Sequence, residues 1–257
     1  MNSEIDKVYI INLKSRPDRR KHMSKILDIM KIPKSRVTYV DATDRNKINW
    51  KKALKSLDYN RPFDTFLNKS TWNKVHQDDN TTKGQIGNFL SHLRVWNQVA
   101  RQKPGKYLIL EDDICPTKYW FKNVENKRLL SKVGDAQFIY LGDCFRDGKS
   151  KINISVSGTD QKLIRMYAEC LHAYMITNNF GRIIVGSINI QNEIFPLKLP
   201  SDRWLPGFLE SMNIPFYNFK IPLVIQHPDL SGNSNIEYEN STENYDTEQN
   251  KYLCVNK

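Results

Sequence analysis

The sequence predicts an α/β protein built on a mostly parallel central sheet flanked by helices, Rossmann-like in its layering. Short β-rich runs alternate with stretches of helical periodicity, the pattern of strand–helix–strand units. The runs are nearly continuous in apolar character, as strands covered on both faces must be. One of them, YLILEDDICP from Tyr107 to Pro116, ends in three consecutive acids, and open sheets of this class bind ligands beyond the carboxyl ends of their strands.

KVYIINL, Lys7 to Leu13, reads as an interior strand. Pro17 suits the first turn of a helix running through Ile26, Leu27 and Met30. Arg36 to Val40 reads as a second strand closed by Asp41, and Asn46 to Asn80 as a polar surface insertion. From Gln85 onward, Ile86, Phe89, Leu90, Leu93, Trp96 and Ala100 recur at helical spacing until Lys103-Pro104-Gly105. The acid-bearing strand, Lys106 to Leu110, follows directly. AQFIYLG (136–142), LHAYMIT (171–177) and PLVIQ (222–226) read as further strands, with a helix from about Asn178 to Ser187 after the second.

With 257 residues, residues 1–230 are expected to form a single domain, and the polar segment 231–257 a partly mobile tail. The formal charge of +11 points to an acidic partner: nucleic acid, an anionic membrane surface or a phosphorylated small molecule. The lysines are dispersed rather than striped, which argues against a dedicated nucleic-acid site. No run reaches the length of a membrane helix and no secretion signal is apparent. A cytoplasmic address is therefore expected, with peripheral membrane contact compatible with the charge. Cys115, Cys144, Cys170 and Cys254 form no CxxC pair and read as reduced thiols, neither a disulfide framework nor a structural zinc site.

Glu111, Asp112 and Asp113 at the strand end repel one another. A divalent, oxygen-seeking ion such as Mn²⁺ or Mg²⁺ offsets that repulsion most directly, while helix capping or plain solvation is the alternative. An ion held by few protein carboxylates keeps positions for substrate phosphates, and Arg16, Arg19 and Arg20 lie in the first loop and helix start. Together these features point to a nucleoside-diphosphate site.

The pieces VYIINLKSRPDRRKHM, VDATD, GQIGNFLSHLRVW, YLILEDDI, DAQFIYLG, AYMITNNFGRIIV and LPSDRWL, in this order, resemble glycosyltransferase family 25, which holds lipopolysaccharide galactosyltransferases and collagen hydroxylysine galactosyltransferases. The chain departs from the family pattern at Gly87-Asn88, where Gly-Cys is usual, and at Gly134, where a tryptophan precedes the strand. The resemblance implies a GT-A arrangement, with a nucleotide-sugar half and an acceptor half around one continuous sheet, and a metal-dependent, inverting transfer from a UDP-sugar. UDP-galactose is the first expected donor and UDP-glucose the second. The acceptor would be a saccharide or a hydroxylysine in a collagen-like peptide.

On that resemblance Asp113 is the firmest metal ligand. Glu111 and Asp112 share the metal, ribose and sugar roles, and His227, after PLVIQ, is a further ligand or a surface histidine. Asn12 and Leu13 would line the nucleotide, with Arg16 and Arg19 reaching uracil, ribose or phosphate and Asp41 accepting from uracil or ribose. Gly84, Gln85 and Gly87 would open a helix whose free N–H groups favour an anion. His92 reads as donor-site architecture. Asp202 is the expected base for the acceptor hydroxyl, or a helix cap, with Asp143 second. Two other readings stay open: a catalytically silent basic protein that binds glycan or nucleic acid, and a nucleotidyltransferase.

Overall fold

The computed structural model describes residues 5–44, 46, 79–120, 136–144, 146–147, 153–155, 162–190, 201–227 and 230. The expected insertion lies, apart from Asn46, Asp79 and Asn80, outside the described residues, as does the expected tail.

Strand β1 (Lys7–Asn12) turns into helix α1 (Pro17–Ile29). Pro17 stands at the start of that helix, where its missing N–H costs nothing. The helix ends with Lys31 in the left-handed region at φ 54°. There the Lys31 N–H reaches the Asp28 carbonyl and the Ile32 N–H the Leu27 carbonyl, the paired closure that satisfies the last helical carbonyls. Strand β2 (Val37–Asp41) follows, then α2 (Asp79–Ala100), β3 (Lys106–Glu111) and β4 (Ile114–Pro116). The short strands β5 (Phe138–Tyr140), β6 (Arg146–Asp147), β7 (Asn153–Ser155), β8 (Lys162–Ile164) and β9 (Tyr167–Ala168) lead to β10 (Ala173–Thr177). The Thr177 hydroxyl accepts the Phe180 N–H at 3.1 Å and so caps α3 (Asn178–Ile190). Helix α4 (Ser201–Ser211), β11 (Phe216–Phe219) and β12 (Val224–Gln226) complete the described chain order.

Eight strands form one sheet in the order β2-β1-β3-β10-β5-β11-β8-β7. β2, β1, β3, β5, β11 and β7 run one way, and β10 and β8 the other. The α/β sheet flanked by helices is therefore as expected, with antiparallel strands intercalated. PLVIQ departs from expectation: β12 pairs with β4 in a separate two-stranded ribbon. β-rich composition marks a strand without naming its partner.

Strand alternation divides the core. Val8, Ile10, Leu108 and Leu110 face Met23, Ile26 and Leu27 of α1. Tyr9, Ile11, Tyr107 and Ile109 face a second cluster that takes in Phe89, Leu93 and Trp96 of α2, Phe180 of α3 and Leu205 of α4. Chain order reverses at β1, whose neighbours are β2 on one side and β3 on the other. The carboxyl ends of β1 and β3 thus flank the topological switch point, where α/β sheets open a ligand crevice.

Two expectations are corrected. Cys144 and Cys170 are joined by a disulfide with a Cα–Cα separation of 5.6 Å, and Cys115 is disulfide-bonded as well; these three are not reduced thiols, and Cys254 lies outside the described residues. The distance of Cys144 from Cys170 along the sequence hides a closeness that arises because the exit of β5 returns beside the entry to β10. Gly84, Gln85 and Gly87 do not open a helix either, because α2 begins at Asp79. Their N–H groups lie within the helix, where glycine lowers propensity without ending it.

Candidate functional site

The strand ends at Glu111, and the acids part there: Glu111 to one face, and Asp112 and Asp113, in the turn beyond it, to the other. Glu111 turns toward α2, where its Oε1 accepts from Asn88 Nδ2 at 2.9 Å and meets His92 Nε2 at 3.1 Å. Asp112 turns toward α1. Its Oδ2 accepts from Asn12 Nδ2 at 2.7 Å across the β1–β3 switch point, and its Oδ1 from Arg19 Nη1 at 2.8 Å. The same Arg19 nitrogen reaches Asp113 Oδ2 at 3.2 Å, and Arg19 Nη2 donates to the Leu230 carbonyl at 2.9 Å. Asp113 Oδ1 is buried and has no hydrogen-bond partner among the described residues.

Behind Glu111 runs a buried relay. Trp96 Nε1 donates to the Tyr174 hydroxyl at 2.9 Å, and that hydroxyl lies 2.8 Å from His92 Nδ1. A carboxylate only accepts, so His92 carries its proton on Nε2 and takes the Tyr174 O–H on Nδ1. From the other side, Ser201 Oγ donates to Asn88 Oδ1 at 2.7 Å, which ties the start of α4 to the same carboxylate.

These contacts set opposite protonation tendencies. Burial pushes Glu111 up, but the His92 hydrogen bond, the electrostatic pull of the His92 and His172 rings, and Asn88 outweigh it and leave Glu111 below its ordinary value. Asp113 is pushed up to about 7 by burial and by Glu111, with Arg19 opposing and Asp112 adding. Asp202 is also raised, by burial first and then by Glu169, while a hydrogen bond from the Cys170 backbone works against the shift.

Other expected residues divide. His227 donates its backbone N–H to the Asp113 carbonyl at 2.6 Å, and its ring packs edge-on against His22 at 5.1 Å. Asp202, in the first turn of α4, and Asp143, after β5, are both buried. Arg16 is engaged by Asp18 at 2.7 Å and also feels the charges of Asp112 and Asp113, while Asp41 is engaged by Lys14 at 2.8 Å. The Leu13 carbonyl closes a turn by accepting the Arg16 N–H at 2.9 Å. Gly87 is buried inside α2, where its carbonyl accepts from Ser91 Oγ at 2.5 Å, and Gln85 is half-buried on the same helix. Sequence reasoning missed Asn88, His22, Tyr174 and Ser201. Asn88 precedes His92 by one helical turn and Arg19 precedes His22 by nearly one, so helical spacing was the available signal for two of them.

An α/β sheet whose switch point carries clustered carboxylates outside its strand ends places the protein among the open-sheet proteins that bind ligands in that crevice. Within that class the chain belongs to glycosyltransferase family 25: the family model described as "Glycosyltransferase family 25 (LPS biosynthesis protein)" matches residues 5–181. Over 205 residues the chain is 31% identical to procollagen galactosyltransferase 2 of Homo sapiens, covering 78% of this chain and 30% of that protein. It is 29% identical over 141 residues to a glycosyltransferase 25 family member of Drosophila melanogaster, 54% of this chain and 21% of that one. It is 26% identical over 206 residues to the inactive glycosyltransferase 25 family member 3 of Mus musculus, 78% of this chain and 31% of that one. The chain thus spans less than a third of the length of these relatives. No described helix is long and apolar enough to cross a membrane.

Proposed function

We propose that the chain is a metal-dependent, inverting glycosyltransferase that moves a hexose from a UDP-sugar, galactose first and glucose second, to a saccharide or hydroxylysine hydroxyl. The observation that carries this reading is the Asp113 carboxylate, buried at the switch point with Oδ1 lacking a hydrogen-bond partner among the described residues. Asp112 and Asp113 share one guanidinium there, so ionising both leaves a deficit of one positive charge. A divalent ion covers that deficit and relieves the raised Asp113 carboxyl. Asp113 would hold it, with Glu111 and His227 as the further expected ligands, although the donor atoms of these three do not gather within 4.8 Å of one another here and would have to close on the ion. Bound there, Mn²⁺ or Mg²⁺ would offset the negative charge of the departing diphosphate.

The chain's own groups supply the rest. Arg19 holds Asp112 fixed against Asn12, which joins the β1 and β3 ends beside the nucleotide. His92 and Asn88 hold Glu111 in one rotamer, the positioning that transfer chemistry needs. Asp202 accepts the proton of the acceptor hydroxyl as that oxygen attacks the anomeric carbon. Burial raises its pKa toward the range where a carboxylate is a more effective base near neutrality. Asp143 is the alternative base.

The test is incubation with Mn²⁺ and a panel of UDP-sugars, with and without saccharide and hydroxylysine-peptide acceptors. Metal-dependent release of UDP is expected, abolished in Asp113→Ala while the circular dichroism spectrum is kept. Full activity in chelator would remove the metal assignment, and transfer of UMP with release of a sugar 1-phosphate in place of UDP would mark a nucleotidyltransferase. A second reading follows from the relatives named inactive. UDP-sugar binding without UDP release under any acceptor would make this chain a silent binder of the same fold.

A further inference from the structure

Cys144, Cys170 and His172 form a cluster that the proposed transfer does not use. Cys144 follows the Gly142-Asp143 exit of β5, and Cys170 and His172 flank Leu171 at the entry to β10. The two sulfurs are bonded to each other. His172 is 1% exposed, and its Nε2 lies 3.4 Å from the Val224 carbonyl. A carbonyl only accepts, so the ring proton sits on Nε2 and Nδ1 presents its lone pair, which lies 4.0 Å from Cys144 Sγ.

This orientation is built in. A Cβ added at Gly142 would stand 2.5 Å from His172 Nε2 and 1.9 Å from the Val224 oxygen. Glycine alone admits the ring and its carbonyl partner into that seam. An imidazole whose far nitrogen is tied to a backbone carbonyl, with the near nitrogen aimed at a sulfur, has the posture of a ligating histidine. The three donor atoms lie within 4.8 Å of one another, and Gln226 Oε1 lies 3.6 Å from Cys144 Sγ. Two thiolates and one imidazole suit Zn²⁺, and are the wrong donors for the hard ions that suit the acids at the switch point.

We propose that Cys144, Cys170 and His172 form a redox-gated zinc site, closed while the two sulfurs are joined and opened by a thiol reductant. In the opening step a dithiol is oxidised to its own disulfide, the Cys144–Cys170 S–S bond breaks, and each cysteine sulfur gains one electron and one proton. Zn²⁺ then displaces both thiol protons to solvent, forming two Zn–S bonds and one bond to His172 Nδ1 with no further electron transfer. A water or Gln226 Oε1 fills the fourth position. The site lies between the two candidate bases. Asp143 directly precedes Cys144, and the Cys170 backbone, held at φ 72°, hydrogen-bonds Asp202. Zinc capture would therefore report the thiol state next to the acceptor-side acids, whether or not the chain transfers a sugar.

The experiment uses the full chain, reduced with dithiothreitol, freed of reductant without oxygen and dialysed against zinc in excess Mg²⁺ so that the carboxylates do not compete. Reduced wild type should retain one zinc per chain and the oxidised protein none. Cobalt in place of zinc should give the near-ultraviolet thiolate-to-metal charge-transfer absorption that oxygen ligands do not produce. Cys144→Ser should lose both signals and Cys115→Ser keep them. In the wild type itself, zinc should shield Cys144 and Cys170, and not Cys115, from alkylation mapped by mass spectrometry. Equal zinc in reduced and oxidised protein, retention by Cys144→Ser, or alkylation of Cys144 and Cys170 unchanged by zinc would each overturn the proposal.

Discussion

Burial and the neighbouring Glu111 push the Asp113 carboxyl up to about 7 from an ordinary 3.8, against the pull of Arg19. The folded protein therefore keeps a proton that the unfolded chain has released, and this group's contribution is fully present below about pH 4 and lost as the pH rises to about 7. Asp113→Asn keeps the shape and removes the titration. The melting temperature of the variant minus that of the wild type should climb across this window and level off above it, and Mn²⁺ should shrink the gap most at the alkaline end. A difference that stays flat with pH would mean that Asp113 is not strained by its setting. The Tyr174 hydroxyl offers a second residue-level test, because it takes the Trp96 N–H and faces His92 while fully buried. Tyr174→Phe strands two buried polar groups, and urea unfolding should show a loss of about 1–3 kcal/mol; a neutral result would mean that water replaces the hydroxyl.

At the level of elements, two glycines of α3 separate packing from propensity within one helix. A Cβ at Gly181 would sit 2.9 Å from the Ala100 backbone nitrogen of α2, whereas one at Gly186 meets nothing within 4 Å. Gly181→Ala should lower stability by about 1–3 kcal/mol through overpacking. Gly186→Ala should raise it by about 0.5–1 kcal/mol. Denaturant midpoints check both signs, and a stabilising Gly181→Ala would refute the close helix–helix seam. The elements most legible in the sequence are those with a long local signal: β1, α1, α2 and β3, where apolar runs, a helix-start proline and a repeating apolar face all agree. β7, β8 and β11 went unread because three or four residues carry too little alternation to distinguish a strand from a loop. The site was legible where chemistry clusters along the chain, at Glu111-Asp112-Asp113. It was hidden where the fold gathers distant residues: Arg19 against the acids, Ser201 against Asn88, Cys144 against Cys170. Disulfides persist mainly in oxidising compartments, so the bridge and the expected cytoplasmic address pull in opposite directions. Thiol titration of the protein as it is made in its own cell would decide between them.

Over the whole molecule, the formal charge of +11 admits two kinds of anionic partner that differ sharply in their response to salt. At the switch point, where Arg19 is occupied by Asp112 and Asp113, the charge available to a ligand is local. A UDP-sugar brings few charges, and a divalent ion held by the buried acids would meet them at short range, where screening is weak. Its affinity should therefore fall only modestly between low and physiological ionic strength. Nucleic acid would instead engage the dispersed lysines across the surface. A protein that neutralises 6–10 phosphates loses roughly 10³–10⁵ in affinity between about 50 and 200 mM salt through counterion release. Titrating UDP-galactose with Mn²⁺, and separately a DNA duplex, across that range distinguishes the two. A shallow slope for the sugar nucleotide beside a steep one for the duplex places the working site at the acids and leaves the remaining charge as nonspecific attraction. Duplex affinity that survives physiological salt, with sugar-nucleotide binding absent, would move the function from the crevice to the basic surface.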